Sequence, residues 1–98
     1  LKTDYALDLI DLSIVTRSKN DMERIKGRII GKAGKSREEL ERLTDTYITV
    51  YGKTIGIIGE QDQVTIARQG IAKLIDGAMH STVYKFLEKK KRDMLLGQ

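Results

Sequence analysis

Apolar positions recur along the chain with two different periods, and the switches between them mark out the elements. Tyr5, Leu7 and Leu9 alternate with Ala6 and Asp8, which predicts a strand over Tyr5–Asp11, with Leu12 to Val15 as its extension. Arg17-Ser18-Lys19-Asn20-Asp21 is polar and ends that segment, and Asn20 or Ser18 suits a helix cap. Met22, Ile25, Ile29 and Ile30 then fall at helical spacing and predict a first helix from about Asn20 to Ile30. Leu40 and Leu43 form the stripe of a second, short helix ending near Asp45. Ser36, with Glu39 three residues on, has the form of a reciprocal cap at its start.

Tyr47-Ile48-Thr49-Val50-Tyr51 is β-branched and aromatic, and Thr54-Ile55-Gly56-Ile57-Ile58 follows after Gly52-Lys53, so a hairpin is expected, closed by Gly59. From about Asp62 to Ala78, Val64, Ala67, Ile71, Leu74, Ile75 and Ala78 make one stripe, the longest helix. Within it Gly70 is expected to allow close packing against the sheet, and Gly77 to mark its end. A last helix, roughly Ser81 to Met94, turns Val83, Tyr84 and Leu87 inward and Lys89-Lys90-Lys91-Arg92 outward. This order predicts an α+β domain.

Composition narrows the chemistry. Ninety-eight residues suit one small domain. The chain has no cysteine, which rules out disulfides, thiolate metal sites and cysteine nucleophiles. Its one histidine, His80, cannot build a His-rich metal site and reads as a structural contact at the last helix junction. No nucleophile–base constellation is visible, so no enzymatic activity and no cofactor are expected. No apolar run approaches the roughly 18 residues of a membrane span, so no membrane partner is expected. The first residue is leucine, and the chain is read as part of a longer protein.

Net charge is +4, and its distribution matters more than its size. Residues 24–37 carry six basic residues and no acid, and residues 85–92 carry five basic residues and one acid. Basic zones within a mixed surface fit an anionic polymer partner, although solvated faces would look the same. At the centre of the first zone lies Gly31-Lys32-Ala33-Gly34, between two predicted helices. Glycines open backbone conformations closed to other residues and keep Cβ atoms away from whatever approaches the main chain. A helix start beyond the turn adds a partial positive charge.

Three interpretations compete for this turn. One is a plain connection with solvated charges. A nucleotide-binding P-loop is suggested by Gly34-Lys35-Ser36, but the required earlier glycine is replaced by Ile29, and a helix rather than a strand precedes it. The third, and favoured, is a clamp for single-stranded nucleic acid of the G-x-x-G kind. Sheet-surface RNA readers stack bases on aromatic rings, whereas Tyr47 and Tyr51 lack an aromatic-rich surround and are expected to be packing residues.

With Ile29-Ile30-Gly31-Lys32-Ala33-Gly34 set in that order of elements, the stretch from about Tyr5 to Ala78 resembles a type I KH (K-homology) domain. Gly27-Arg28-Ile29-Ile30-Gly31, Val50-Tyr51-Gly52-Lys53-Thr54 and His80-Ser81-Thr82-Val83-Tyr84 look more particularly like the second KH domain of archaeal and eukaryotic small-subunit ribosome-assembly proteins of the Dim/Pno group. The resemblance implies a β-α-α-β-β-α fold with a three-stranded antiparallel sheet, a KH domain over residues 1–79, and a basic helical extension over 80–98 packed on it. It implies single-stranded RNA held by Gly31, Lys32, Ala33 and Gly34, with Lys32 and Lys35 neutralising phosphate and Arg28 and Arg37 holding it bidentately. Ile30, Leu40, Ile48 and Val50 would floor the groove, and the backbone from Ile48 through Thr49 to Val50 would read bases. Many KH domains carry an aliphatic residue where this chain has Arg37, so the base preferences of others do not transfer. The implied partners are the 3′ region of small-subunit rRNA, a preceding KH domain, the endonuclease that trims the rRNA 3′ end, and the alpha subunit of initiation factor two. The implied location is cytoplasmic, or nucleolar and nuclear in a eukaryote. The rival from another class is a protein–protein scaffold of KH fold with little RNA affinity of its own.

Overall fold

Three strands and five helices account for most of residues 4–97, the part described by the computed structural model. The first alternating segment is strand β1 (Tyr5–Asp11). Leu12–Val15, expected to extend it, turns instead into a short helix, α1. Local hydrogen bonding outcompetes β-propensity there: Asp11 Oδ1 accepts from Ser13 N–H at 2.9 Å and Ser13 Oγ at 2.6 Å, capping the turn. Thr16 closes it by donating both its N–H and its hydroxyl to the Leu12 carbonyl.

Helix α2 (Lys19–Ile30) is capped by Ser18, whose hydroxyl accepts from Asp21 N–H. A single 3₁₀ turn, Lys32–Gly34, separates it from α3 (Lys35–Thr44). The hairpin comprises β2 (Tyr47–Tyr51) and β3 (Thr54–Glu60). Helix α4 (Gln61–Ile75) ends before the left-handed Gly77, and α5 spans His80–Leu96.

The sheet is antiparallel in the order β1-β3-β2, so β3 is central and β2 is an edge. Leu7 and Tyr47 both lie opposite Ile58, and Ile10 and Val50 both lie opposite Ile55. This strand and helix order is the β-α-α-β-β-α arrangement of the type I KH fold, with α1 and α5 added.

One sheet face carries the core. Ile10, Ile48, Ile55 and Ile57 are buried against Ile25, Ile29, Leu40, Ala67, Ile71 and Leu74 of the helices. Asp8 on β1 pairs with Arg68 on α4 at 2.8 Å, tying that layer to the sheet. Val83 and Leu87 of α5 are fully buried. Gly70 does permit a close approach, but to α5 rather than to the sheet: a Cβ there would stand 3.1 Å from Leu87 Cδ1 and Cδ2.

The opposite sheet face meets no helix among the described residues. Tyr47 and Tyr51, expected to pack, are 75% and 81% exposed there. Period two puts them on the side away from Ile48 and Val50, and the helices take only the aliphatic side. Tyr5, Leu7, Leu9 and Ile58 share this face, whose strand residues, among those described, include no lysine or arginine.

Candidate nucleic-acid interface

The turn expected to hold RNA projects at the junction of α2 and α3. Gly31 caps α2 at φ 76°, ψ 170°, a region open in practice to glycine alone. Ala33 (φ 55°) and Gly34 (φ 75°) continue in left-handed conformation. Gly34 N–H returns to the Gly31 carbonyl at 3.1 Å, closing a tight loop. Lys32, Ala33 and Lys35 are exposed, and Gly31 and Gly34 are half-buried.

Ser36 does not cap α3. The N-cap is Gly34, with no side-chain hydrogen bond, and Ser36 sits within the first turn, buried, its hydroxyl without a partner among the described residues. Glu39 turns instead to Arg42, whose hydrogen bonds, more than its charge, hold the Glu39 carboxyl below the usual glutamate value. The reason is steric. Gly31 packs directly on Ser36, and a Cβ at Gly31 would lie 2.6 Å from both Ser36 N and Ser36 Cβ. This contact brings the loop so close to α3 that the helix begins at Lys35, two residues earlier than a cap at Ser36 allows.

The basic zone separates into groups with different work. Arg24 pairs with Asp21 at 2.6 Å and Lys26 with Glu23 at 3.7 Å, each within α2. Arg28, expected to grip phosphate, is a tether. Its Nε donates to the Leu74 carbonyl at 3.2 Å, its Nη2 donates to the Ala78 carbonyl, and its own carbonyl contacts His80 Nε2 at 2.8 Å. The helical turn before Gly31 is thereby bolted to the α4–α5 junction. His80 thus has the structural contact expected of it, and its ring tilts against Tyr84. Lys32 and Lys35 take part in no ion pair or side-chain hydrogen bond among the described residues.

Beside the loop runs the free edge of β2. Arg37 Nη1 donates to the Ile48 carbonyl at 3.1 Å, and Glu41 Oε2 accepts from Ile48 N–H at 2.7 Å. Ile48 therefore points its backbone groups outward, and by strand alternation Val50 does the same. Thr49 turns its backbone toward β3 and its side chain to the open sheet face, away from the helices. Of the four expected floor residues, Ile30 and Val50 are half-buried and reach the surface. Leu40 and Ile48 are each 1% exposed, so their side chains belong to the core.

Sequence inspection missed the roles of Arg28, Glu41 and Ser36. Arg28 meets partners 46 and 50 positions away, and no local pattern signals that. Glu41 follows Arg37 by one helical turn, a spacing that puts both on one helix face and was the available cue.

Among the described residues no helix is long and apolar enough to cross a membrane. A family profile for the eukaryotic-type KH domain (KH-domain type I), that of the second such domain of PNO1, matches residues 6–92. A KH domain-containing protein of Methanocaldococcus jannaschii is 44% identical over 89 residues, covering 91% of this chain and 39% of that protein. The pre-rRNA-processing protein PNO1 of Chaetomium thermophilum is 36% identical over 66 residues, 67% of this chain and 26% of that protein. A chain of the a/eIF2alpha–aDim2p–rRNA complex from Pyrococcus horikoshii superposes with a TM-score of 0.85 at 38% identity, over 95% of this chain and half of that one. The chain thus spans between about a quarter and a half of the length of these proteins. It belongs to the type I KH-domain family, within the group formed by the second KH domains of the PNO1 and Dim2 proteins.

Proposed function

We propose that this domain binds single-stranded RNA, without catalysis, through the loop Gly31–Gly34, and that it serves the maturation of the small ribosomal subunit at the 3′ region of its rRNA. One observation carries the proposal: a side-chain-poor loop flanked by two lysines without an ion pair among the described residues stands beside a strand edge. The backbone of about four nucleotides would lie along Gly31, Lys32, Ala33 and Gly34. Lys32 and Lys35 neutralise phosphates, and Arg37, whose bond to a neutral carbonyl leaves its charge intact, adds a third cation. Ile30 and Val50 offer apolar contact to bases. The group's pre-rRNA-processing member and the rRNA-bearing complex support the choice of ribosomal RNA. That complex also supports the alpha subunit of initiation factor two as a partner. A preceding KH domain and the 3′-end endonuclease belong to the same proposal by family membership, as does a cytoplasmic or, in a eukaryote, nucleolar location.

The test is direct titration of single-stranded oligonucleotides from the rRNA 3′ region. Contact with three or four phosphates gives a log–log salt slope of roughly −2 to −3. The double change Lys32→Asp with Ala33→Asp should abolish this binding, and survival of the affinity would refute the loop's role. The open sheet face, with its exposed Tyr5, Leu7, Leu9, Tyr47, Tyr51 and Ile58, favours the scaffold alternative, for which salt-independent or absent RNA binding is the expected result.

A further inference from the structure

We propose that Glu41 and Arg37 act as a built-in substitute for a nucleobase, occupying the backbone of Ile48 and so setting where this domain reads bases. The proposal rests on the RNA-binding function above. Ile48 lies on the free edge of β2, where its outward N–H and C=O are the groups available to the edge of an incoming base. Both are already used. The Glu41 carboxylate accepts from the N–H at 2.7 Å, and the Arg37 guanidinium donates to the C=O at 3.1 Å.

This pairing has the complementarity a base would bring, one acceptor for the N–H and one donor for the C=O. Glu41 and Arg37 stand one helical turn apart on α3, so a single rigid face delivers both. The bond to Glu41 is charge-assisted and short, of the stronger class. A neutral base offering the same pattern exchanges a charged acceptor for an uncharged one, and must also approach a carboxylate with its own phosphates. Exchange is therefore unfavourable at Ile48, and base contact passes to Val50, two residues along the same edge. Phosphate contact at the loop is untouched. The expected behaviour is RNA binding that depends on the loop's cations and is indifferent to whether a base is present opposite Ile48.

The experiment is an abasic scan. Single-stranded RNA oligonucleotides, each lacking one base in turn, are titrated against the wild-type protein and against Glu41→Ala, Glu41→Gln and Glu38→Ala. Glu38 is an exposed acid on the same helix, so its removal reproduces the charge change without freeing the strand. In the wild type, no abasic position should map to Ile48. In Glu41→Ala, one new position should become sensitive, losing about three- to tenfold in affinity, the worth of one hydrogen bond. Glu41→Gln, which keeps a neutral acceptor, should lose less at that position than Glu41→Ala. Arg37→Ala, which frees only the carbonyl, is scanned in the same way and serves if Glu41→Ala fails to fold. Identical scans in wild type, Glu41→Ala and Arg37→Ala would overturn the proposal, as would equal gains in affinity from Glu41→Ala and Glu38→Ala without a new sensitive position. Failure of the RNA-binding function would show differently, as wild-type affinity unaffected by the loop substitutions.

Discussion

Gly31 and Gly34 occupy the two ends of one loop at nearly the same φ, yet replacing each with alanine should have very different consequences. At Gly34 (φ 75°, ψ 10°) a Cβ meets nothing within 4 Å, so only the left-handed backbone is penalised. That penalty is about 1–2 kcal/mol, and Ala33 already bears it next door at φ 55°. At Gly31 (φ 76°, ψ 170°) the backbone lies in a region that costs a non-glycine residue about 1–3 kcal/mol. The added Cβ also stands 2.6 Å from Ser36 N, and a main-chain atom cannot rotate away. Relieving such a contact costs a further 1–3 kcal/mol or so. Gly31→Ala should therefore destabilise by about 3–5 kcal/mol, a large part of the 5–15 kcal/mol typical of a whole domain. For a domain of this size each kcal/mol moves Tm by about 4–8 °C. Thermal melts followed by far-UV circular dichroism should show Gly34→Ala falling by roughly 5–15 °C and Gly31→Ala by at least twice that, or not folding. Equal losses for the two variants would refute the assignment of Gly31 as the loop's packing glycine.

Ser36→Ala should stabilise the protein by about 1 kcal/mol, because it removes a buried hydroxyl with no partner among the described residues. A helix-capping serine would give a loss of similar size, so the sign of the shift in urea midpoint decides between the two roles. Acid should weaken the fold through Asp11, Asp21 and Glu39. Hydrogen bonds from Ser13 to Asp11, from the Arg17 backbone to Asp21 and from Arg42 to Glu39 lead in holding these carboxyls below their ordinary values of 3.8, 3.8 and 4.5. The folded state then binds fewer protons than the unfolded one, so their contribution is complete above those values and is lost as pH falls through the lowered ones. Urea midpoints at pH 6 and pH 3 should differ less in Asp21→Asn than in the wild type, and an unchanged difference would exclude Asp21 from the acid response.

The pattern of apolar positions determined by itself the three strands, helices α2 to α5 and the loop between α2 and α3, though not the short α1, because period and turn chemistry are local properties. It also marked the helix stripes that form the core, whereas on β1 the alternating Leu7 and Leu9 lie on the uncovered face. Charge spacing located the basic zone, but not how its cations divide. Only tertiary structure decided that Arg28 fastens α2 to carbonyls 46 and 50 residues away, leaving Lys32 and Lys35 at the loop. Only packing decided that Ser36 lies under Gly31 instead of capping α3. Tyr47 and Tyr51 show the same division: their alternation was plain, but which sheet face the helices would cover was not. A sequence records the rhythm of each element, whereas the partner each side chain meets depends on how the elements come together in space.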